Sequence, residues 1–414
     1  MSLPTLTPGL ESPTAPLAAP TTAREALEAA RACASRIEGG SVSRDAHRTH
    51  PLDQLQELAG TGLLAVRLPA THAGPELPRS VAGDVLRVLA RGDSAVGQLV
   101  LSHFVLLDII GDAPSEELRE LLYGAVAAGG WLGNATAERG TAHVFDRKTT
   151  ITEEPEGTFR VRGHKFYTTG ALGSAWIGVS GNLDGDPLNP AIAFVRPDDP
   201  GVTIDTDWSA FGQRSTASGS IQFDDVTVPA LQVLRLGPLP ADPPRSPIGA
   251  YDQLLHAAID TGIARAAMED GAAFVRDHAR PWVESGVARV SEEPHVILRF
   301  GQLQTQLYAL EALFARAGAA LDRARTADPT DDHLLIEASL AVAETKAFAQ
   351  DVGPRIATDV IELAGTSATD ERHGFDRHWR NVRTHTLHDP ARWKYVHIGN
   401  HLLNDVPPPK HPLI

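Results

Sequence analysis

TTITEEPEGTFRVRGHKFYTTGALGSAWIGVSG, residues 149–181, breaks the texture of the chain around it. β-Branched and aromatic residues gather in short runs between turn residues. Thr149 to Glu153 reads as a strand, Pro155-Glu156-Gly157 as a turn, and Thr158 to Gly163 and beyond as the returning strand. AWIGVSGNL (175–183), AIAFVRP (191–197) and SGSIQFDDVTVP (218–229) add further strands. Short strands at this density predict a compact barrel or sandwich over residues 129–235. GNATAERG (133–140) reads, by itself, as a loop.

Outside this island the pattern is helical. TAREALEAARACASRIE (22–38) spaces apolar residues by three and four. The run from Ser80 to Ile110 predicts one long apolar helix, or two broken near Gly92-Asp93. LPATHAGPELP (68–78) is a loop rich in breakers. After the Pro-rich linker LGPLPADPPRSP (236–247), helices are expected at Tyr251 to Arg280, Glu292 to Ala324, Asp331 to Leu363 and Asp389 to Leu403. The polar loop RTADPTDDH (325–333) between the second and third is short, which favours an antiparallel bundle. The expected order is a disordered leader (1–20), a helical domain (21–128), a β domain (129–235) and a helical bundle (248–405).

The composition narrows the function. A net charge of −15 argues against general nucleic-acid binding. The one cysteine, Cys33, allows no intrachain disulfide and suits a cytoplasmic setting. No apolar run approaches the ~20 residues that cross a bilayer. No Gly-x-Gly-x-x-Gly follows a strand, and no GxSxG elbow is present, so a nicotinamide-binding unit and a serine-hydrolase site are not expected.

One segment is chemically dense. RHWRNVRTHTLHDPARWKYVHIGNH (377–401) holds five of the chain's 17 histidines and two of its 6 tryptophans. His397 and His401 share a helix face, yet no HExxH-type glutamate accompanies them, so no metal site is expected. Asp389 before Pro390 reads as a helix N-cap, and His388 as either a capping-region residue or a proton-handling group on a loop. In GHKFYTTGALGSAW (163–176), Lys165, Tyr167, Thr168, Thr169 and Gly170 bring hydroxyls and amides to a strand end. That arrangement serves an ordinary hairpin or the polar edge of a flat ring.

Taken together, RVRGHKFYTTGALGSAWIGVSG, FGQRSTASGSIQFDDVTVP (211–229) and RHWRNVRTHTLHDP resemble the acyl-CoA dehydrogenase superfamily over nearly the whole chain. The resemblance implies an α+β, mainly α fold: an N-terminal helical domain, a central β-barrel and a C-terminal four-helix bundle. Two departures stand out. His388-Asp389-Pro390 replaces the Glu-Gly-Thr setting of the dehydrogenase base, and Ala364 to Ala368 (AGTSA) replaces a Gly-Gly-x-Gly turn at the adenine end of FAD. Both are similar to the two-component flavin-dependent monooxygenase branch, of the dibenzothiophene monooxygenase type.

That resemblance implies reduced FMN, with FAD possible, delivered by a separate NAD(P)H:flavin reductase. It also implies O2, a small organic substrate oxygenated at sulfur, nitrogen or aromatic carbon through a C4a-hydroperoxyflavin, and a homotetramer. His103, His388 and Thr168 would be catalytic. Asn134, Phe166, Tyr167, Thr168, Thr169, Trp208, Arg280 and Arg377 would hold the cofactor. The tyrosine that the type carries one turn after His103 falls near Leu107, which with Trp208 and His388 would line the substrate pocket. The alternatives are an acyl-CoA dehydrogenase with Asp389 as base and a non-catalytic flavin- or partner-binding protein.

Overall fold

A computed structural model describes residues 17–325 and 332–414. The expected leader falls mostly on residues 1–16, and most of the loop RTADPTDDH on 326–331; both stretches lie outside the described residues.

Among the described residues seven α-helices precede the sheet: α1 (Ala23–Glu38), α2 (Ser41–His47), α3 (Leu52–Gly60), α4 (Arg79–Gly92), α5 (Ser94–Leu99), α6 (Leu101–Gly111) and α7 (Glu116–Ala127). Thr22 and Glu25 close a capping box on α1, satisfying amides that a helix start leaves unpaired. The long apolar run is three helices rather than one or two. It breaks at Gly92, where the Asp93 carboxylate accepts the Ala95 N–H at 2.9 Å, and again at Val100. The stretch Ser94–Gly111 is apolar enough to cross a membrane by composition, but 72% of it is buried inside the fold.

The strands are β1 (Leu132–Ala135), β2 (Thr150–Glu154), β3 (Thr158–Lys165), β4 (Trp176–Leu183), β5 (Pro190–Val195), β6 (Val202–Ile204), β7 (Ile221–Pro229) and β8 (Val233–Arg235). They form one mixed sheet in the order β6-β7-β3-β2-β4-β5-β8, with β1 running parallel to β4. β5 and β7 are not neighbours in that order yet touch, so the sheet curls around its own core. β4 and β5 are buried at every position. Ile177, Val179, Ala191, Ala193 and Val195 point into the sheet's core, while Trp176, Ile192 and Phe194 join the helical core. Strands buried on both faces read as continuous apolar runs, as these do. β1 lies partly inside the stretch read as a loop. Leu-Gly-Asn-Ala carries no strand signal of its own and becomes a strand by pairing with β4.

The C-terminal helices are α8 (Pro247–Asp277), α9 (Pro294–Ala324), α10 (His333–Ala364), α11 (Asp376–His385) and α12 (Ala391–Asn404). α8 starts before the expected Tyr251 because Ser246 caps it and Pro247 occupies its first turn. It is buried almost all round by α4, α9 and α10. Within this packing Lys346 Nζ on α10 meets Asp260 Oδ2 on α8 at 2.8 Å, with both side chains sealed from water. His385 Nδ1 on α11 donates to Asp260 Oδ1 at 2.6 Å.

Removing one member of a buried ion pair leaves an uncompensated charge. Asp260→Asn should therefore lower unfolding stability by about 3–5 kcal/mol in a denaturant titration. The double substitution Asp260→Leu, Lys346→Met should recover only part of that loss, because it leaves the buried His385 Nδ1–H without its acceptor.

Candidate functional site

The turn between β3 and β4 is held from below by a buried ion pair. Lys165 Nζ donates to Glu138 Oε1 at 2.6 Å and to Thr136 O at 3.1 Å. Burial pushes the Lys165 ammonium down to about 8, against the opposing pull of Glu138. Glu138 also accepts the Lys148 and Thr149 N–H groups and the Thr149 hydroxyl. Lys165 is thus engaged inward and offers nothing to a ligand edge.

Above it the backbone turns sharply. Tyr167 sits at φ 58° and Gly170 at φ 79°, both in the left-handed region. The Thr168 N–H and hydroxyl both donate to Gly219 O, at 3.2 and 3.0 Å. The Thr168 oxygen keeps its acceptor capacity. Among the described residues the N–H groups of Tyr167 and Gly170 have no acceptor. The Thr169 hydroxyl pairs with Ser218 Oγ at 2.7 Å, which pairs with Thr216 Oγ1 at 2.8 Å.

Asn134 on β1 donates its N–H to Thr169 O at 3.1 Å and points its amide at Tyr167 O, 3.5 Å away. Phe166 is buried, Trp208 half-buried and Tyr167 exposed, and the three rings pack edge-on or tilted at 4.6–6.3 Å. The structure thus brings together Asn134, Phe166, Tyr167, Thr168, Thr169 and Trp208. An acceptor oxygen beside two free N–H donors matches the alternating N–H and C=O edge of a reduced flavin, and the aromatic cluster suits its flat body. The residues present fit the cofactor.

A joint with no warning in the sequence ties this turn to the helices. Buried Gln213 donates its N–H to Asn381 Oδ1 at 2.7 Å, and its side-chain oxygen accepts from Ser94 Oγ at 2.9 Å. Asn381 Nδ2 donates to the same Ser94 Oγ at 3.0 Å. Gln213 O accepts Trp208 Nε1 at 2.8 Å, which orients the indole. Gly212 lies so close to α11 that a Cβ there would stand 1.9 Å from Arg380 O. A Gly-Gln pair in a polar loop looks like any other turn.

The histidines separate. His103 is fully buried on α6. Its Nδ1 accepts the Leu132 N–H at 3.2 Å, so its Nε2–H donates to Leu64 O at 2.8 Å. Burial lowers its pKa to about 4. A neutral ring with both nitrogens committed to backbone corrects the expectation that His103 handles protons at the cofactor. His388 is 39% exposed; its Nδ1–H donates to Asp389 Oδ1 at 3.2 Å, and its ring stacks on His256 at 3.8 Å between centroids.

Asp389 does not cap α12, as expected from Asp-Pro. Its carboxylate is buried against Lys394 Nζ at 2.7 Å. Burial alone would raise its pKa; the His388 hydrogen bond and the Lys346 and Lys394 ammoniums hold it well below the usual carboxylate range. Such a carboxylate is a poor base for an α proton.

Other expectations shift too. Leu107 is buried in the helical core, where its carbonyl accepts the Tyr123 hydroxyl at 3.0 Å, and not in a pocket. Arg280 is exposed beyond α8 and makes no hydrogen bond or ion pair among the described residues. Arg377 is engaged by Asp270 at 2.8 Å and Gly374 O at 2.9 Å. Among the described residues no group of three or more His, Cys, Asp or Glu stands together as a metal site. A partly open pocket of about 30 Å³ is lined by Ser94, Gln213 and Asn381, and a groove of about 330 Å³ by Asp270, Phe274, His373 and Arg377. Thr168 and His388 line neither of these two; Thr168 and Thr169 are buried, and Tyr167 is the exposed residue of the turn.

The chain is 32% identical to the dibenzothiophene monooxygenase of Mycolicibacterium goodii over 388 residues, which span 91% of this chain and 93% of that relative. It belongs to that family. The family model for the acyl-CoA dehydrogenase C-terminal domain matches residues 254–393. A probable FMNH2-dependent monooxygenase, SfnC of Pseudomonas putida, is 29% identical over 93% of this chain and 96% of its own length. The FMN-bound structure of TdsC from Paenibacillus sp. A11-2 superposes with a TM-score of 0.86 at 27% identity, covering 94% of this chain and all of that one. The fold is acyl-CoA dehydrogenase-like, and the chain is a flavin-dependent monooxygenase of the dibenzothiophene monooxygenase family. The dehydrogenase alternative is less supported, in keeping with the locked Asp389.

Arg377 and His378 both reach Asp270 Oδ2 at 2.8 Å. Burial and the neighbouring guanidinium lower the His378 pKa, and its Nε2 lies 2.8 Å from Asp270 Oδ2. Burial opposes ionisation of Asp270, but these two donors bring it from 3.8 to about 2. A depressed carboxyl stabilises the fold above its ordinary pKa and loses that contribution as pH falls through the folded value. Asp270→Asn should therefore melt below the parent near neutral pH, and the gap should close as pH falls from 3.8 to about 2.

Proposed function

We infer that this chain binds reduced FMN at the Phe166–Gly170 turn and uses O2 to oxygenate a small organic substrate. The observation that carries this reading is the Thr168 oxygen, left as an acceptor by its bond to Gly219 O and flanked by the unpaired N–H groups of Tyr167 and Gly170. Thr169 and Asn134 hold that turn in shape, while Phe166 and Trp208 wall the ring.

When bound, reduced FMN supplies two electrons and activates O2. One oxygen atom enters the substrate and the other leaves as water, which takes up two protons. His388 handles a proton at Nε2: its Nδ1 is tied to Asp389, its Nε2 has no partner among the described residues, and it is half exposed. Tyr167 and His388 are exposed, so substrate or a neighbouring subunit completes the exclusion of water.

The names of the relatives support a sulfur compound as substrate, ahead of nitrogen or aromatic carbon. A separate NAD(P)H:flavin reductase supplies the cofactor in the cytoplasm. Arg280, exposed and without a partner among the described residues, is available to a flavin phosphate. Exposed Ile297, Leu298 and Tyr308 on α9 and Trp393, Val396, Leu402 and Leu403 on α12 support assembly into a homotetramer. The apolar faces of α8 and α10 are used inside the chain.

Two experiments test the reading. Anaerobic titration should show reduced FMN binding more tightly than reduced FAD, since Ala364 to Ala368 lacks the adenine-end Gly-Gly-x-Gly turn of the acyl-CoA dehydrogenases; tighter FAD binding opposes it. His388→Ala should stay folded and bind reduced FMN, yet release hydrogen peroxide in place of oxygenated product. Loss of one placed donor typically costs about 10²–10³ in rate. An unchanged ratio of product to O2 removes His388 from the mechanism.

A further inference from the structure

Beneath His388 lies a chain of titratable groups that oxygenation at the β3–β4 turn does not use. Asp260 Oδ1 accepts His385 Nδ1–H at 2.6 Å, and His385 Nε2 meets His256 Nδ1 at 3.1 Å. The His256 ring stacks under His388 at 3.8 Å with 25° between planes. His256 Nε2 lies 3.9 Å from Asp252 Oδ1, a carboxylate that is 23% exposed. Around His256 stand Asp252 and Asp260 from its own helix, His385 from α11, His388 and Asp389 from the loop, Lys346 from α10 and Lys394 from α12. Lys346 pairs with Asp260 and Lys394 with Asp389. Asp252 has no lysine or arginine partner among the described residues. The cluster therefore has one carboxylate in excess, which a single imidazolium would neutralise.

We propose that His256, His385 and Asp260 form a proton relay under His388, and that the three imidazoles hold one proton between them, so that the relay governs when His388 is charged. With His385 Nδ1–H on Asp260, His385 Nε2 accepts His256 Nδ1–H, and His256 Nε2 presents a lone pair toward Asp252. A proton arriving at His256 Nε2 releases the Nδ1 proton of His256 to His385 Nε2. The charge then sits on His385, beside the Asp260 carboxylate. No other bond changes, and the reverse shift returns the proton to the Asp252 side.

Two stacked rings at this spacing repel if both are cationic. Burial pushes His256 well below its ordinary range and lowers His385. Burial therefore opposes charge on His256 and His385, whereas the His388 ring is 39% exposed to water. Groups coupled this closely titrate as a unit. His256 and His385 act through His388 and are positioning residues.

The proposal rests on the monooxygenase reading only for its activity readout. Ring-nitrogen NMR of the histidine-labelled protein near neutral pH should count one imidazolium among His256, His385 and His388. Two at once overturn the proposal, and this count needs no variant. His256→Phe keeps a ring under His388 without a charge; His256→Gln keeps a hydrogen bond to His385 without titrating.

In either variant that retains the parent melting temperature, product formed per O2 consumed should fall at a pH about one unit more alkaline than in the parent. A purely structural role would lower product at every pH and leave the midpoint in place, which overturns the relay. If the parent forms no oxygenated product at any pH, the monooxygenase reading fails and the proton count still decides the relay.

Discussion

A lysine and an aspartate meet where no water reaches them, and much of the C-terminal half is arranged around that contact. Lys346 and Asp260 cannot be separated without stranding a charge, so α8 and α10 have one register in which both are satisfied. Asp260 has a second oxygen, and His385 takes it, which draws the end of α11 into the bundle. The chain then leaves α11 through Leu387 and His388 with little freedom. Asp389 meets Lys394 on α12, and Lys394 meets Gln253 Oε1 on α8 at 3.0 Å. The position of His388 is thus a consequence of ion pairs several residues and several helices away.

The β3–β4 turn is built by the same logic at the other end of the site. Lys165 and Glu138 are an ion pair under a turn, and the turn's own hydrogen bonds run to Gly219 and Ser218 on the approach to β7. Gln213 then couples that approach to α5 and α11 through Ser94 and Asn381. Buried polar networks of this kind are useful only when every member is satisfied. Here the donors left over are the amides of Tyr167 and Gly170, at the one place where a flat, polar-edged ligand is expected.

Much of this architecture is legible in the amino-acid sequence. The strand island, the linker at 236–247 and the long bundle helices announce themselves by period and by breakers. The residues of the β3–β4 turn stand out as a group because they are near neighbours in sequence. The departures share a different cause. β1 looks like a loop because a four-residue strand is defined by its partner. Asp389 looks like a cap because Asp-Pro is a local signal, and the lysine that claims it lies a turn further on, facing the same interior. Arg377 looks free for a cofactor, although Asp270 on α8, more than a hundred residues earlier, takes it. His103 looks like a proton-handling group, although its two backbone partners leave no nitrogen for that chemistry.

The amino-acid sequence by itself determined the order of helix and strand, the family, and the class of chemistry, since periodicity and short motifs are written in neighbouring residues. The tertiary structure alone decided which polar groups are engaged and which remain free. That choice depends on burial and on partners brought from distant segments, and desolvation leaves a titratable side chain no option but to find one.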